Sequence, residues 1–222
     1  MNLDARLEQE ALRLADRYVR EIVLGFGLCP WAEPALREGR VGRAVCLAAA
    51  PAPAACLPFI DGFADPPVDI GLLLFPRHRA SWGAFDAFAE RVRRADRERR
   101  GPRAGAPAAG GVAGPEFLIA AFHPDGPDGA TAFDRPHQLV SFLRRTPDPM
   151  LQFVRAEIID EMKKARPGGS DDVGRRNHAS LSDSSGVDGG GGRRRQALDE
   201  VVRAIRADRE ASYARLGDGA AP

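Results

Sequence analysis

Val68-Asp69-Ile70-Gly71-Leu72-Leu73-Leu74-Phe75 is apolar at six of its eight positions, and the apolar residues run on without alternation. A strand of this composition offers no polar face to water, so it belongs inside a sheet that is covered on both sides. Two flanking stretches share its character: residues 41–49 (VGRAVCLAA) before it and Phe117–Phe122 (FLIAAF) after it. Between the first pair, the Ala/Pro-rich residues 51–63 have room for one short helix. Between the second pair, Trp82, Phe85, Phe88, Ala89 and Val92 recur on one side of the otherwise charged residues 81–100, the mark of a surface helix. The pattern predicts an α/β fold, a small and mostly parallel sheet of three or four strands with helices packed on it. A two-layer, ferredoxin-like α+β arrangement is the alternative.

Leu3, Leu7, Ala11, Leu14, Tyr18 and Ile22 recur at steps of three and four, predicting an amphipathic helix with Asn2 as N-cap and Gly25 as its stop. Residues 1–165 are expected to form one α/β domain, with a flexible Gly/Ala/Pro insertion at 101–115. Residues 166–192 are Gly/Ser/Asp-rich and read as a disordered linker. Leu198, Val201, Val202, Ile205, Tyr213 and Leu216 then mark an amphipathic C-terminal helix over residues 193–217. That helix either docks back on the domain, pairs with another chain, or stands alone.

The chain has 222 residues, and its 32 basic and 31 acidic side chains leave a formal charge of +1. Such a balance argues against nucleic acid as the main partner. No apolar run approaches the ~20 residues that cross a bilayer, and the charged first twenty residues lack a secretory signal, so a cytoplasmic protein away from membranes is expected. Cys29, Cys46 and Cys56 are odd in number and lack Cys-x-x-Cys spacing, which suits reduced thiols.

Three places could carry chemistry. Cys29 lies in Gly25-Phe26-Gly27-Leu28-Cys29-Pro30-Trp31-Ala32; a helix starting at Pro30 would make it an N-cap beside unpaired amides, where a thiolate is favoured. The other fate open to it is that of a small buried residue in a turn. His123, in Phe122-His123-Pro124-Asp125-Gly126, follows the third strand, where ligands of α/β sheets collect, and either serves proton transfer or caps the strand. In Arg144-Arg145-Thr146-Pro147-Asp148-Pro149 the prolines force an extended step between what read as two helices, the second over residues 150–164. Arg144, Arg145 and Arg155 could hold a carboxylate or phosphate, or else pair with structural acids such as Glu157, Asp160 and Glu161. His78 has basic neighbours that oppose a charged imidazole.

Taken together and in this order, Gly27-Leu28-Cys29-Pro30-Trp31-Ala32, Leu72-Leu73-Leu74-Phe75-Pro76, Phe122-His123-Pro124 and Arg145-Thr146-Pro147-Asp148-Pro149-Met150-Leu151 resemble the bacterial domain-of-unknown-function 1415 family, over roughly residues 18–163. The resemblance implies a compact cytoplasmic bacterial domain and no particular activity. The chain departs from the family pattern of Leu-His-Leu-Leu-Arg-Glu after the double-proline step, having Gln152 for the His and Ala156 for the Glu. It also has Asp69-Ile70-Gly71 where Glu-Thr-Thr is usual. Cys29, His123, Arg145 and Arg155 stand at matching positions.

The first expectation is therefore a small-molecule-binding or enzymatic domain, with Cys29 and His123 as nucleophile and base and with Arg145 and Arg155 for an anionic small molecule. The second is a non-catalytic interaction module that uses the C-terminal helix. The third is metal or haem binding through Cys29 and His123. No cofactor and no oligomeric state can be read from the residues.

Overall fold

The computed structural model describes residues 2–64, 68–100, 114–126, 139, 142–165, 169–182 and 190–217. Helix α1 (Leu3–Tyr18) starts at Asn2, whose side chain accepts the Ala5 amide at 2.8 Å, and buries Leu7, Ala11, Leu14, Ala15 and Tyr18. It widens into a π turn over Val19–Leu24, in which the Gly25 amide reaches back five residues to the Arg20 carbonyl at 2.9 Å. A Cβ on residue 25 would lie 2.4 Å from the Glu21 oxygen, so glycine is what lets the turn close. Next come α2 (Ala32–Arg37), β1 (Val41–Val45), a 3-10 turn (Pro53–Cys56), α3 (Leu57–Gly62), β2 (Ile70–Leu74) and α4 (Trp82–Arg100). The chain continues through β3 (Phe117–Phe122), β4 (Met150–Arg155), α5 (Ala156–Ala165), α6 (Gly169–Ser182) and α7 (Gly190–Leu216).

The four strands lie in the order β1-β2-β4-β3. Strands β1 and β2 pair in parallel, while β4 is antiparallel to both β2 and β3. The sheet is thus mixed, which corrects the mostly parallel arrangement expected from the sequence. The expectation failed at residues 150–155, read as the start of a helix. In fact Pro149 carries its extended conformation into β4, and its carbonyl accepts the Phe75 amide at 2.9 Å, seating the new strand beside β2. The β2 run, read as central and doubly covered, does occupy an inner position between β1 and β4.

Alternation sorts the side chains to two faces. Leu73, Phe75, Leu151 and Phe153 pack with Phe85, Phe88 and Val92 of α4, while Leu72, Leu74 and Met150 pack with Ala15 of α1. The Phe63 ring lies over the cross-strand pair Gly42 and Gly71, where added Cβ atoms would approach it to 2.7 and 2.4 Å.

Residues 166–192, expected as a linker, contain α6, whose Leu181 is buried. Their remaining stretches at 166–168 and 183–189, and residues 101–113 of the expected insertion, lie outside the described residues. Helix α7 docks on the rest of the chain. Leu198 and Ile205 share a core cluster with Tyr18, Ile22 and Leu28, and Tyr213 joins Leu7 and Leu14. The apolar stripe that an interaction module would offer to a partner is therefore covered within the chain. Among the described residues, no helix is long and apolar enough to cross a membrane.

Candidate functional site

Strands β1, β2 and β3 end at one edge of the sheet, and β4, running the other way, begins there. Three of the sequence motifs consequently meet at this carboxyl edge: the exit of β2 at Phe75 to Ala80, the exit of β3 at His123, and the double-proline step before β4. Backbone bonds lock them together. The His123 amide donates to the Arg144 carbonyl and the Phe75 amide to the Pro149 carbonyl, both at 2.9 Å, and within the double-proline step the Thr146 hydroxyl donates to the Asp148 carbonyl at 2.6 Å. Proline at 147 and 149 fixes the backbone dihedral there, so the step is rigid before any ligand arrives.

Between this edge, the end of α1 and one side of α7 lies a cavity of about 270 Å³. His78, Arg79, His123 and Arg145 line it from the sheet side. Tyr18 and Ile22 come from α1 and its π turn, and Val202, Ile205, Arg206 and Arg209 come from α7. The two histidines differ in how they are held. His123 is 4% exposed, its Nε2 lies 2.9 Å from the Ala80 carbonyl, and its Nδ1 accepts the Asp125 amide at 3.2 Å. Those partners fix the neutral tautomer with the proton on Nε2 and engage both ring nitrogens. The ring therefore clamps the exits of β2 and β3 to one another, which leaves it poorly placed as a base. His78 stacks among Phe75, Phe85 and Phe88, and its buried Nδ1 has no hydrogen-bond partner among the described residues. Burial pushes both imidazoles below the ordinary 6.5, so both rings are neutral at pH 7.

The arginines are the second feature. Arg209 is committed: its Nε donates to Asp148 at 2.8 Å, and the Tyr213 hydroxyl donates to the other oxygen of the same carboxylate at 2.6 Å. Asp148 is 1% exposed, so α7 supplies both partners of a buried acid that the sheet edge presents. Arg206 donates to the Pro124 carbonyl at 2.7 Å, which ties α7 to the β3 exit. Arg145 lies over the Phe142 ring at 5.3 Å. Its guanidinium is held below its ordinary range, first by burial and then by the neighbouring Arg206 cation, with Asp199 and Asp125 offsetting part of this.

Of the four residues expected from the sequence, the cavity brings together His123 and Arg145. Cys29 does not line it. Helix α2 starts at Ala32 with Trp31 as its cap, so Cys29 is not the N-cap foreseen, and burial pushes its thiol up, although the Trp31 and Ala32 amides favour the thiolate. Arg155 ends β4 at the far edge of the sheet, five residues from Met150 and roughly 17 Å along the strand. Its amide bonds the Asp69 carbonyl at 3.0 Å. Gly71 receives Phe63 on the α4 face, Gln152 sits mid-strand and Ala156 follows Arg155 at the far edge, so none of the departures from the family pattern lines the cavity. Among the described residues, no group of three or more His, Cys, Asp or Glu could hold a metal ion, and Cys29 and His123 do not share the cavity.

Arg206, Arg209 and Tyr213 went unsuspected because nothing local marks them. The Tyr213 to Asp148 bond spans 65 residues of chain. His78, set aside on the sequence for its basic neighbours, follows the β2 exit much as His123 follows β3, and ligands gather at such exits.

No curated protein and no solved structure matches the chain. A family match does extend over residues 10–188, well over half of the sequence, and it takes in every sheet-side residue of the cavity while stopping short of α7. On that match, the chain belongs to the family described as "Protein of unknown function (DUF1415)".

Proposed function

We propose that the protein binds a small anion in the cavity at the carboxyl edge of its sheet, with Arg145 and Arg206 as the principal contacts and Arg79 at the rim. The observation that carries this reading is the placement of Arg145 and Arg206 as neighbours on one cavity. Two cations brought together beside apolar walls repel one another, and an anion between them turns that repulsion into charge-assisted hydrogen bonds. Perturbed ionisable groups gathered in a cleft mark a functional site for the same reason.

The chemistry proposed is recognition. His123 has both ring nitrogens bonded and Cys29 is elsewhere, so the nucleophile and base expected from the sequence do not meet at this cavity. Titration calorimetry with inorganic phosphate and with acetate tests the proposal on the full chain. Arg145→Gln is expected to weaken whichever anion binds by on the order of tenfold, the value of one charge-assisted hydrogen bond. Binding that ignores Arg145→Gln, or no binding of either anion at high concentration, overturns the reading.

A further inference from the structure

The two histidines that border the cavity face it differently. Both ring nitrogens of His123 are bonded to backbone, whereas His78 is half-buried and its buried nitrogen is Nδ1. The open side of the His78 ring therefore carries Nε2, and the space that the residue borders is the cavity. Nε2 has no hydrogen bond among the described residues. Whether it meets a ligand as donor or as acceptor depends on which nitrogen holds the proton of the neutral ring.

Two physical arguments place that proton on Nδ1. The ring stands nearly perpendicular to Phe75 and Phe85, with interplanar angles of 72° and 71°, and the negative face of a phenyl ring attracts an N–H but repels a lone pair. On the open side, Arg79, Arg145, Arg206 and Arg209 line the cavity with Asp125 and Glu210. Asp148 stands behind Arg209, so four guanidiniums meet three carboxylates and one positive charge is in excess. An imidazole dipole in that field turns its lone pair, the negative end, toward the cavity.

Building on the anion-binding reading, which supplies the seat for the charge, we propose that His78 is the specificity residue of this cavity. Its Nε2 accepts a hydrogen bond, so the ligand class is an anion that keeps a proton to donate, such as a phosphate, in preference to one that has none, such as sulfate. A phosphate, five heavy atoms at the roughly 30 Å³ that each occupies in liquid water, fills about 150 Å³ of the 270 Å³ cavity and so meets several walls at once. At neutral pH phosphate retains at least one O–H and sulfate retains none. Sulfate sets a bare, negatively charged oxygen against the lone pair of Nε2 and displaces the water that had satisfied it. Asp125 and Glu210 are acceptors on the same cavity, so a variant of His78 is needed to tell its contribution from theirs.

Titration calorimetry at pH 7 on the full chain compares inorganic phosphate with sulfate. Phosphate is expected to bind at least about tenfold more tightly, the value of one hydrogen bond to a charged group, although sulfate carries the greater charge. Should acetate be the anion that binds, glycolate, which adds one hydroxyl to it, takes the place of phosphate, with an expected advantage over acetate of about threefold. His78→Phe keeps the aromatic packing and removes the acceptor, so it should bring either ratio close to one. A two-bond proton–nitrogen correlation spectrum of the unaltered chain should show the proton on Nδ1 of His78 and on Nε2 of His123. Three results each overturn this inference and leave the anion site standing: equal binding of the paired anions, a preference that survives His78→Phe and so belongs to Asp125 or Glu210, or a proton on Nε2 of His78. Failure of every anion to bind overturns both.

Discussion

The two edges of the sheet use arginine in opposite ways. At the amino edge of β1 and β2, Arg40 is paired with both Asp69 and Glu38, and the Asp69 backbone also holds the amide of Arg155. Charge there is matched by charge, and the arrangement closes the end of the sheet. At the carboxyl edge Asp148 is taken by Arg209 and Tyr213, while Arg145 and Arg206 share a cavity as neighbouring cations. In a chain with 30 arginines the residue type carries no functional signal. What separates structure from binding is where the fold places the charge: in an ion pair that closes the end of the sheet, or on the wall of a cavity.

The largest expected effect tests the matched acid of the carboxyl edge. Asp148→Ala leaves Arg209 uncompensated in a buried site and removes the partner of Tyr213, and breaking such a pair costs about 3 to 5 kcal/mol. Urea denaturation should show that loss, and protease sensitivity should rise first within α7. A change below about 1 kcal/mol would mean that α7 docks by its apolar face alone. The amino edge has its own test. Gly71→Ala drives a methyl group to within 2.4 Å of the Phe63 ring and should cost about 1 to 3 kcal/mol in stability while leaving anion binding intact.

A smaller effect discriminates the edges most directly. Arg145→Gln should weaken phosphate binding by on the order of tenfold, and Arg155→Gln should leave it unchanged, since Arg155 lies at the opposite end of β4. Equal effects from the two substitutions would erase the distinction drawn between the edges.

Much of this architecture was legible along the chain, and the reasons divide by range. Continuous apolar runs announced β2 and β3, and periodic apolar positions announced α1 and α4, because burial leaves its mark locally. Strand β4 was not legible: Met150 to Arg155 follow two prolines and precede a helix, and only pairing with β2 and β3 makes them a strand. Helix α6 went unseen because its sequence, GSDDVGRRNHASLS, has two glycines and a single leucine, Leu181, with which to dock. At the site, His123 and Arg145 were visible through their place beside strand exits and prolines. Arg206 could not be, since it enters the cavity through a helix docked by Leu198, Ile205 and Tyr213, contacts distant in sequence. Cys29 looked reactive because Pro30 suggested a helix start there; the helix begins two residues later. Its raised thiol predicts alkylation by iodoacetamide more slowly than a free cysteine at pH 7.5, and a fast reaction would restore it as a candidate nucleophile.

The smallest expected effect places acid sensitivity at the carboxyl edge. His78 and His123 both have folded-state values below the ordinary 6.5, in each case chiefly because burial penalises the charged ring. The unfolded chain therefore takes up protons near pH 6.5, where the folded chain does not, and it binds more of them throughout the window below. The stability contributed by the two neutral rings is full above pH 6.5 and is lost as pH falls through their depressed folded values. Asp148 works against that loss at lower pH, because burial pushes its carboxyl up and the folded state takes that proton first. Thermal unfolding followed from pH 7.5 to pH 5 should show a declining midpoint, and His78→Gln should make the decline shallower with Asp148 left in place. At the amino edge, Glu38→Gln removes one partner of Arg40 and touches neither histidine, so it should shift the whole profile without changing its slope. An equal slope in the His78→Gln and unaltered chains would remove His78 from the account and leave His123, clamped between Ala80 and Asp125, as the group whose protonation loosens this edge.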